Sequence, residues 1–268
     1  MAARKGRLFL IPNLLDPASL PEAVLPASVI ARIRLLRRFV VEGEKAAWRL
    51  LSRILDAEAA SAVTMDRLDE HTPADALPAL LAPLVAGEDM GLVSEAGMPC
   101  VADPGGALAA LAHDRGFEIL PLVGPSSILL ALAASGLDGQ RFSFLGYLPQ
   151  DPTGRRSALA SLDRGIRADG ATRIFIETPY RNARLLEDCL AILSPDTRLC
   201  VAASLCGSAE RIRSAPVSAW RAMPWRIGKE PAIFLAGRTA GLGAASAVRG
   251  DRLSPARGLD RSSRRGHS

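Results

Sequence analysis

Short apolar runs alternate along this chain with stretches that are apolar on one helical face only, and that alternation admits few architectures. The runs "RLFLIP" (7–12), "RRFVVE" (37–42), "DMGLVS" (89–94) and "FEILPL" (117–122) have the length of strands. So do "RFSFLGYL" (141–148), "TRIFIETP" (172–179), "RLCVAAS" (198–204) and "PAIFLAG" (231–237). Between them, "EKAAWRLLSRILD" puts Ala46, Ala47, Leu50, Leu51, Ile54 and Leu55 on one helical face. "HTPADALPALLAPLVAG" predicts a helix with Thr72 as N-cap, Pro73 at its first position and Asp75 closing a capping box, shortened or kinked by Pro78 and Pro83. "GALAALAHDRG" and "SSILLALAASG" predict helices ending at Gly116 and Gly136, and "NARLLEDCLAIL" predicts another. "ERIRSAPV" has the pattern of an antiparallel edge strand. The fold class is α/β, and "LPQDPTGRR" (148–156) has the turn-residue density expected near a domain boundary. The expected organisation is an N-terminal α/β domain over 1–120, a second over 121–239, and a disordered tail over 240–268.

Composition narrows the class further. At 268 residues, 49% apolar and 23% charged, the chain has the balance of a globular protein with one large core or two modest ones. The longest uncharged window, Ile119 to Leu137, is broken by Pro121, Gly124 and Pro125, so it reads as strand, turn and helix start rather than as a membrane span. The N-terminal "MAARKGRLFLIPN" lacks the apolar length and cleavage pattern of a signal peptide, and a cytoplasmic protein is expected. Cys100, Cys189, Cys200 and Cys206 show no C-x-x-C pairing and no neighbouring histidine, so they read as small core residues and no metal site is expected. His71, His113 and His267 read as surface or helix-end residues. The net charge of +5 is concentrated beyond Ala240, where six arginines face Asp251 and Asp260. A tail of this kind is solvated or touches nucleic acid.

Three strand ends are rich in small, turn-forming residues: "SEAGMP" followed by "ADPGG", "LVGPSS" and "IETPYR". In a parallel sheet such loops converge along one edge, where a ligand can approach the backbone closely. The first is neither a phosphate loop, since it lacks the Lys-Ser/Thr ending, nor the three-glycine dinucleotide fingerprint.

Together, "VSEAGMPCVADPG", "PLVGPSSILLALAASGL", "RFSFLGYLP" and "FIETPYRN" resemble the tetrapyrrole-methylase superfamily of S-adenosylmethionine-dependent methyltransferases, in order and spacing over residues 7–237. The nearest branch resembles ribosomal small-subunit RNA methyltransferase I, which methylates a cytidine 2′-hydroxyl. The resemblance implies two α/β domains with S-adenosylmethionine in the cleft between them, usually in a homodimer. Carried over by position, Ser94, Glu95 and Ala96 line the cofactor loop with Val101 nearby, and Asp103 fixes that loop. Ser126 and Ser127 fall where the amino-acid portion is held, Ile176, Glu177 and Thr178 near the adenosine, and Ala232 at the last strand. The acceptor implied is RNA, with a tetrapyrrole or other small molecule, or a non-catalytic cofactor-binding role, as alternatives. A sulfonium cofactor asks for in-line positioning more than for acid–base groups, in keeping with loops of small residues.

Two N-terminal elements depart from the branch. Where it reads P-T-P-I-G-N-L and A-E-D-T-R, this chain has Pro12-Asn13-Leu14-Leu15-Asp16-Pro17 and Val41-Glu42-Gly43-Glu44-Lys45. Glu42, or Glu95 if it points inward, is a candidate to accept an acceptor proton, and Tyr180 and Arg181 are candidates to touch the acceptor.

Overall fold

A computed structural model of the chain describes residues 4–223 and 225–239; the Arg-rich tail expected at 240–268, with His267, lies outside the described residues. The strands β1 (Arg7–Ile11), β2 (Arg38–Val41), β3 (Thr64–Arg67), β4 (Met90–Val93) and β5 (Glu118–Pro121) form one sheet in the order β3-β2-β4-β1-β5. All of its pairings are parallel. Every residue of β4 is buried, as a strand covered on both faces requires. Gly91 lies within it because a Cβ there would sit 2.5 Å from Ile11 Cδ1 and 2.8 Å from Phe39 Cδ1. One face packs Phe9, Ile11, Phe39 and Val41 against Ile33, Leu50 and Leu51, and the other packs Leu8, Val40 and Leu92 against Leu81, Leu84 and Leu108.

The second sheet contains β6 (Phe142–Tyr147), β7 (Thr172–Ile176), β8 (Arg198–Ala203), β9 (Arg211–Pro216) and β10 (Ala232–Gly237), in the order β6-β7-β10-β8-β9. It is mixed: β6 runs parallel to β7, whereas β10 is antiparallel to both its neighbours and β9 is an antiparallel edge. The N-terminal end of β10 therefore lies beside the C-terminal ends of β7 and β8. The chain passes from one sheet to the other between Pro121 and Ser127, and the helix Ser127–Ser135 packs on β8, β9 and β10. Among the described residues no helix is long and apolar enough to cross a membrane.

Some local expectations need correction. Thr72 caps no helix: its hydroxyl accepts from Asp69 N (3.0 Å) and closes a turn, and Pro78 and Pro83 break the segment into a 3-10 turn, Ala74–Ala76, and two short helices, Leu77–Leu80 and Ala82–Val85. Residues 152–156, read as part of a turn-rich boundary, open the helix Pro152–Asp169, in which Pro152 is the first residue and Asp151 accepts from Gly154 N at 2.6 Å. The same Asp-Pro chemistry serves a turn and a helix start equally well. β3 carries no apolar run, being an edge strand of mostly exposed residues, and for that reason it left no signal. Cys189 and Cys200 are buried, and burial pushes the Cys200 thiol up to about 12. Cys100 and Cys206, by contrast, are half-buried loop residues.

Candidate functional site

β1 and β4 are neighbours that send their connections to opposite faces of the first sheet, which leaves a crevice beyond their C-terminal ends. Asn13, just past β1, closes the floor of that crevice. Its backbone pairs with Gly97 in both directions, and its buried side chain donates to Ser94 O (2.9 Å) and Glu95 O (3.0 Å). Glu42, past β2, accepts from Glu95 N at 2.9 Å. Asp103 accepts from Cys100 N (3.0 Å) and Gly105 N (2.7 Å) and so holds the end of the same loop. Within that loop Cys100 and Ala102 have φ of 67° and 64°, a left-handed conformation that side chains avoid unless the surroundings impose it.

The second sheet answers with a loop of the same kind. Beyond β8, Ser204 and Cys206 have φ of 53° and 64°, and Ser19 Oγ donates to Cys206 O at 3.0 Å across the cleft. All four non-glycine residues with positive φ among the described residues thus lie on the two loops that face each other here. Between the sheets is a cavity of about 540 Å³, a size that suits a cofactor or metabolite.

Of the residues singled out in the sequence, the fold brings Glu95, Ala96, Ser127, Ile176, Glu177 and Ala232 to this cavity. Ser94 is buried beneath the loop, Ser126 caps the helix Ser127–Ser135, and Thr178 gives its N–H to Glu177 (2.7 Å). Val101 is exposed and lines none of these walls, and Asp103 faces a neighbouring cavity instead. Glu177 is buried and its carboxylate is tied to Arg181 at 2.6 Å. Burial raises its pKa, but the Arg181 and Thr178 hydrogen bonds outweigh that and hold it below the usual carboxylate range. Arg181 is therefore engaged within the chain, while Tyr180 is 79% exposed. The sequence reading missed Leu15, Asp16, Ala202, Ser204, Gly207 and Tyr147, which line the same cavity. A small-residue signal was present in "AASLCGSA" but was read only as a strand end.

Two further cavities open from the first. One, of about 350 Å³, is lined by Asn13, Lys45, Arg49, Glu95 and Ala96 among others. The other, of about 640 Å³, is lined by Glu42, Asp69, Glu70, Glu95 and Asp103 with Arg67, His71 and Tyr147. His71, expected at the surface away from the chemistry, is exposed and borders this cavity. Burial raises the Glu42 pKa above the ordinary carboxylate value; the Glu95 N–H opposes this, and the charges of Asp103, Glu95 and Glu70 add to it. Among the described residues no three His, Cys, Asp or Glu side chains stand close enough to hold a metal ion.

The family model described as Tetrapyrrole (Corrin/Porphyrin) Methylases matches residues 30–219. The chain belongs to that family. As a tetrapyrrole methylase family member it is similar to the Ribosomal RNA small subunit methyltransferase I of Escherichia coli O157:H7, 37% identical over 150 residues that make up 56% of this chain and 51% of the relative. It is also similar to the protein of the same name from Micromonospora olivasterospora, 33% identical over 195 residues, 71% of this chain and 57% of the relative. The chain spans about half the length of the curated relatives it matches. Among solved structures, the methyltransferase CobJ shares the fold at a TM-score of 0.59 and 20% identity, over 88% of this chain and 95% of that one. The uroporphyrin-III-C-methyltransferase of Thermus thermophilus shares it at 0.50 and 18%, over 87% and 93%.

Proposed function

We propose that the chain is an S-adenosylmethionine-dependent methyltransferase whose acceptor is RNA, as the names of its relatives suggest, and specifically a ribose 2′-hydroxyl, as the motif resemblance implies. The observation that carries the reading is the 540 Å³ cavity between the two sheets, lined by Ala96, Ala202 and Ala232 and by the strained loop at Ser204. Walls of small side chains and backbone suit a cofactor that is recognised through its polar edges. The cofactor would be held by the backbone of Glu95 and Ala96, by Ser127, and by Ile176 and Ala232 on the second sheet. When bound, it supplies a methyl group already activated on sulfur, so the reaction asks chiefly for alignment.

The chain's own residues supply that alignment. Asn13 and Glu42 hold the backbone of Ser94 and Glu95 from beneath. The Glu95 carboxylate has no hydrogen bond or ion pair among the described residues and borders all three cavities. It is better placed than Glu42, one of whose oxygens is engaged, to accept a proton from an acceptor hydroxyl.

The acid-lined 640 Å³ cavity favours a nucleotide over a polycarboxylate macrocycle. A nucleotide brings a neutral base and sugar inward and leaves its phosphate outside, where Lys45 and Arg49 line the 350 Å³ cavity. A tetrapyrrole carrying carboxylates around its rim would have to bring like charges together.

Three accompanying proposals complete the reading. The two sheets are two units, 1–120 and 121–239. The protein acts in the cytoplasm, where ribosomes are. Two copies associate through the exposed apolar groove of Leu20, Val24, Val123 and Leu130, which light scattering tests directly.

The functional test is transfer of labelled methyl from S-adenosylmethionine to small-subunit ribosomal RNA from a strain lacking the gene. Label in that RNA, and none in RNA from the parent strain, is expected. Absence of label from both would overturn the RNA reading.

A further inference from the structure

The chain has two tyrosines, Tyr147 and Tyr180, and both are exposed, at 58% and 79%. Tyr147 reaches its position through an irregularity in β6. Phe142, Ser143 and Phe144 pair in register with Thr172, Arg173 and Ile174, but Ile176 is paired with Tyr147, so β6 has one residue more than β7 across this step. An extra residue of this kind turns the side chains that follow it to the other face.

In an uninterrupted strand Tyr147 would face the side where Phe175 packs against Leu159, Leu162 and Leu185. With the bulge it shares the face of Phe144, Ile174 and Ile176, and that face lines the cleft. Gly146, at φ 65°, makes the turn, and a Cβ there would meet nothing within 4 Å. Glycine is thus required at 146 by conformation and not by space.

The bulge delivers Tyr147 to one particular place. Tyr147 and Glu95 are the lining residues shared by the 540 Å³ and 640 Å³ cavities, so they flank the passage between the cleft and the acid-lined chamber. Tyr180 is the comparison for what an exposed ring does otherwise: Lys229 Nζ stands 5.2 Å over its centroid, whereas no Lys or Arg stands over the Tyr147 ring among the described residues. A flat, uncharged partner is what such a passage admits. Five carboxylates repel an anion, and an exposed aromatic face attracts a planar ring.

We infer that Tyr147 is the residue that positions the acceptor: an unstacked nucleobase of a single-stranded RNA segment lies on its ring, which sets the nucleotide's sugar in the passage beside Glu95. This inference rests on the methyltransferase reading above and adds the feature of the acceptor that is recognised. Base-on-aromatic stacking tolerates sequence, so Tyr147 selects unpaired structure rather than a particular base.

The test compares wild type, Tyr147→Phe and Tyr147→Ala in two assays: calorimetric titration with S-adenosylhomocysteine, and methyl transfer to small-subunit ribosomal RNA from the deletion strain. Tyr147→Ala is expected to raise KM for RNA roughly 10- to 100-fold. Its S-adenosylhomocysteine affinity should stay within about threefold of wild type, and Tyr147→Phe should restore KM, because the ring and not the hydroxyl does the stacking. An unchanged KM in Tyr147→Ala, with wild type active, overturns the inference and leaves the methyltransferase reading standing. Equal loss of S-adenosylhomocysteine binding in Tyr147→Ala overturns it too, by assigning the ring to the cofactor. A wild-type protein that binds no S-adenosylhomocysteine and transfers nothing brings down the reading and the inference together.

Discussion

The cavity between the sheets and the chamber beside it are built from opposite materials. The first is bounded by alanines, glycine and loop backbone, with its few ionisable groups either engaged elsewhere, as Glu177 is by Arg181, or left at the mouth, as Glu95 is. The second is bounded by charged side chains at the ends of β2, β3 and β4, with five carboxylates against Arg67 and His71. A wall of backbone fixes its geometry through hydrogen bonds and strain, and it suits a ligand that never changes. A wall of long side chains adapts and selects by charge, and it suits whatever varies between members of a family. The difference teaches that two sides of one cleft can be suited to different kinds of ligand by what they are made of, and the proposed function assigns the cofactor to the first and the acceptor to the second.

This contrast can be broken at several points. The largest effect is expected from Ala96→Trp, which fills the backbone-walled cavity: S-adenosylhomocysteine affinity should fall by about 100-fold or more, while thermal unfolding changes little because Ala96 is exposed. Calorimetry beside a melting curve separates the two outcomes. Next comes Asn13→Ala, which strips three hydrogen bonds from the floor and leaves the buried Ser94 carbonyl without its donor. A loss of about 2–3 kcal/mol in denaturant unfolding is expected. A loss near zero would show that the floor is held by the Asn13–Gly97 backbone bridge alone.

The smallest effect is expected on the charged side. Since the folded Glu42 pKa is raised, that group's contribution to stability is fully present below its unfolded pKa and is lost as pH rises through the folded value. Glu42→Gln, whose amide oxygen can still accept from Glu95 N, should therefore be slightly more stable than wild type at pH 7. The gain should shrink toward pH 4, and denaturant titrations at the two pH values measure it. A gain that is independent of pH would assign the effect to packing rather than to the burial of the Glu42 charge and its Asp103, Glu95 and Glu70 neighbours.

The same contrast governs how much the sequence discloses. Apolar runs announced eight of the ten strands among the described residues and the edge pattern of "ERIRSAPV" a ninth; the exception, β3, is an edge with almost nothing to bury. The backbone-walled cavity was legible because such walls demand small residues in sequence, and "SEAGMP" and "IETP" are such stretches. Even there, the reading could not tell that Ser94 turns under the loop while Ala96 faces the cavity, since both are small. The acid-lined chamber was less legible. Glu42 and Asp103 were singled out in the sequence, but Asp69 and Glu70 are ordinary surface types remote from both, and only the parallel order β3-β2-β4 brings the four to one edge. Arg181, a candidate in the sequence to touch the acceptor, is paired in the fold with Glu177, a partner the sequence did not indicate.

The central claim is that the backbone-walled cavity holds a sulfonium cofactor, and its most direct test is calorimetric titration of the purified protein with S-adenosylhomocysteine, with ATP and NAD run beside it. Saturable binding of S-adenosylhomocysteine alone is the predicted result. Folded protein that binds none of the three, or ATP or NAD in its place, would contradict the account.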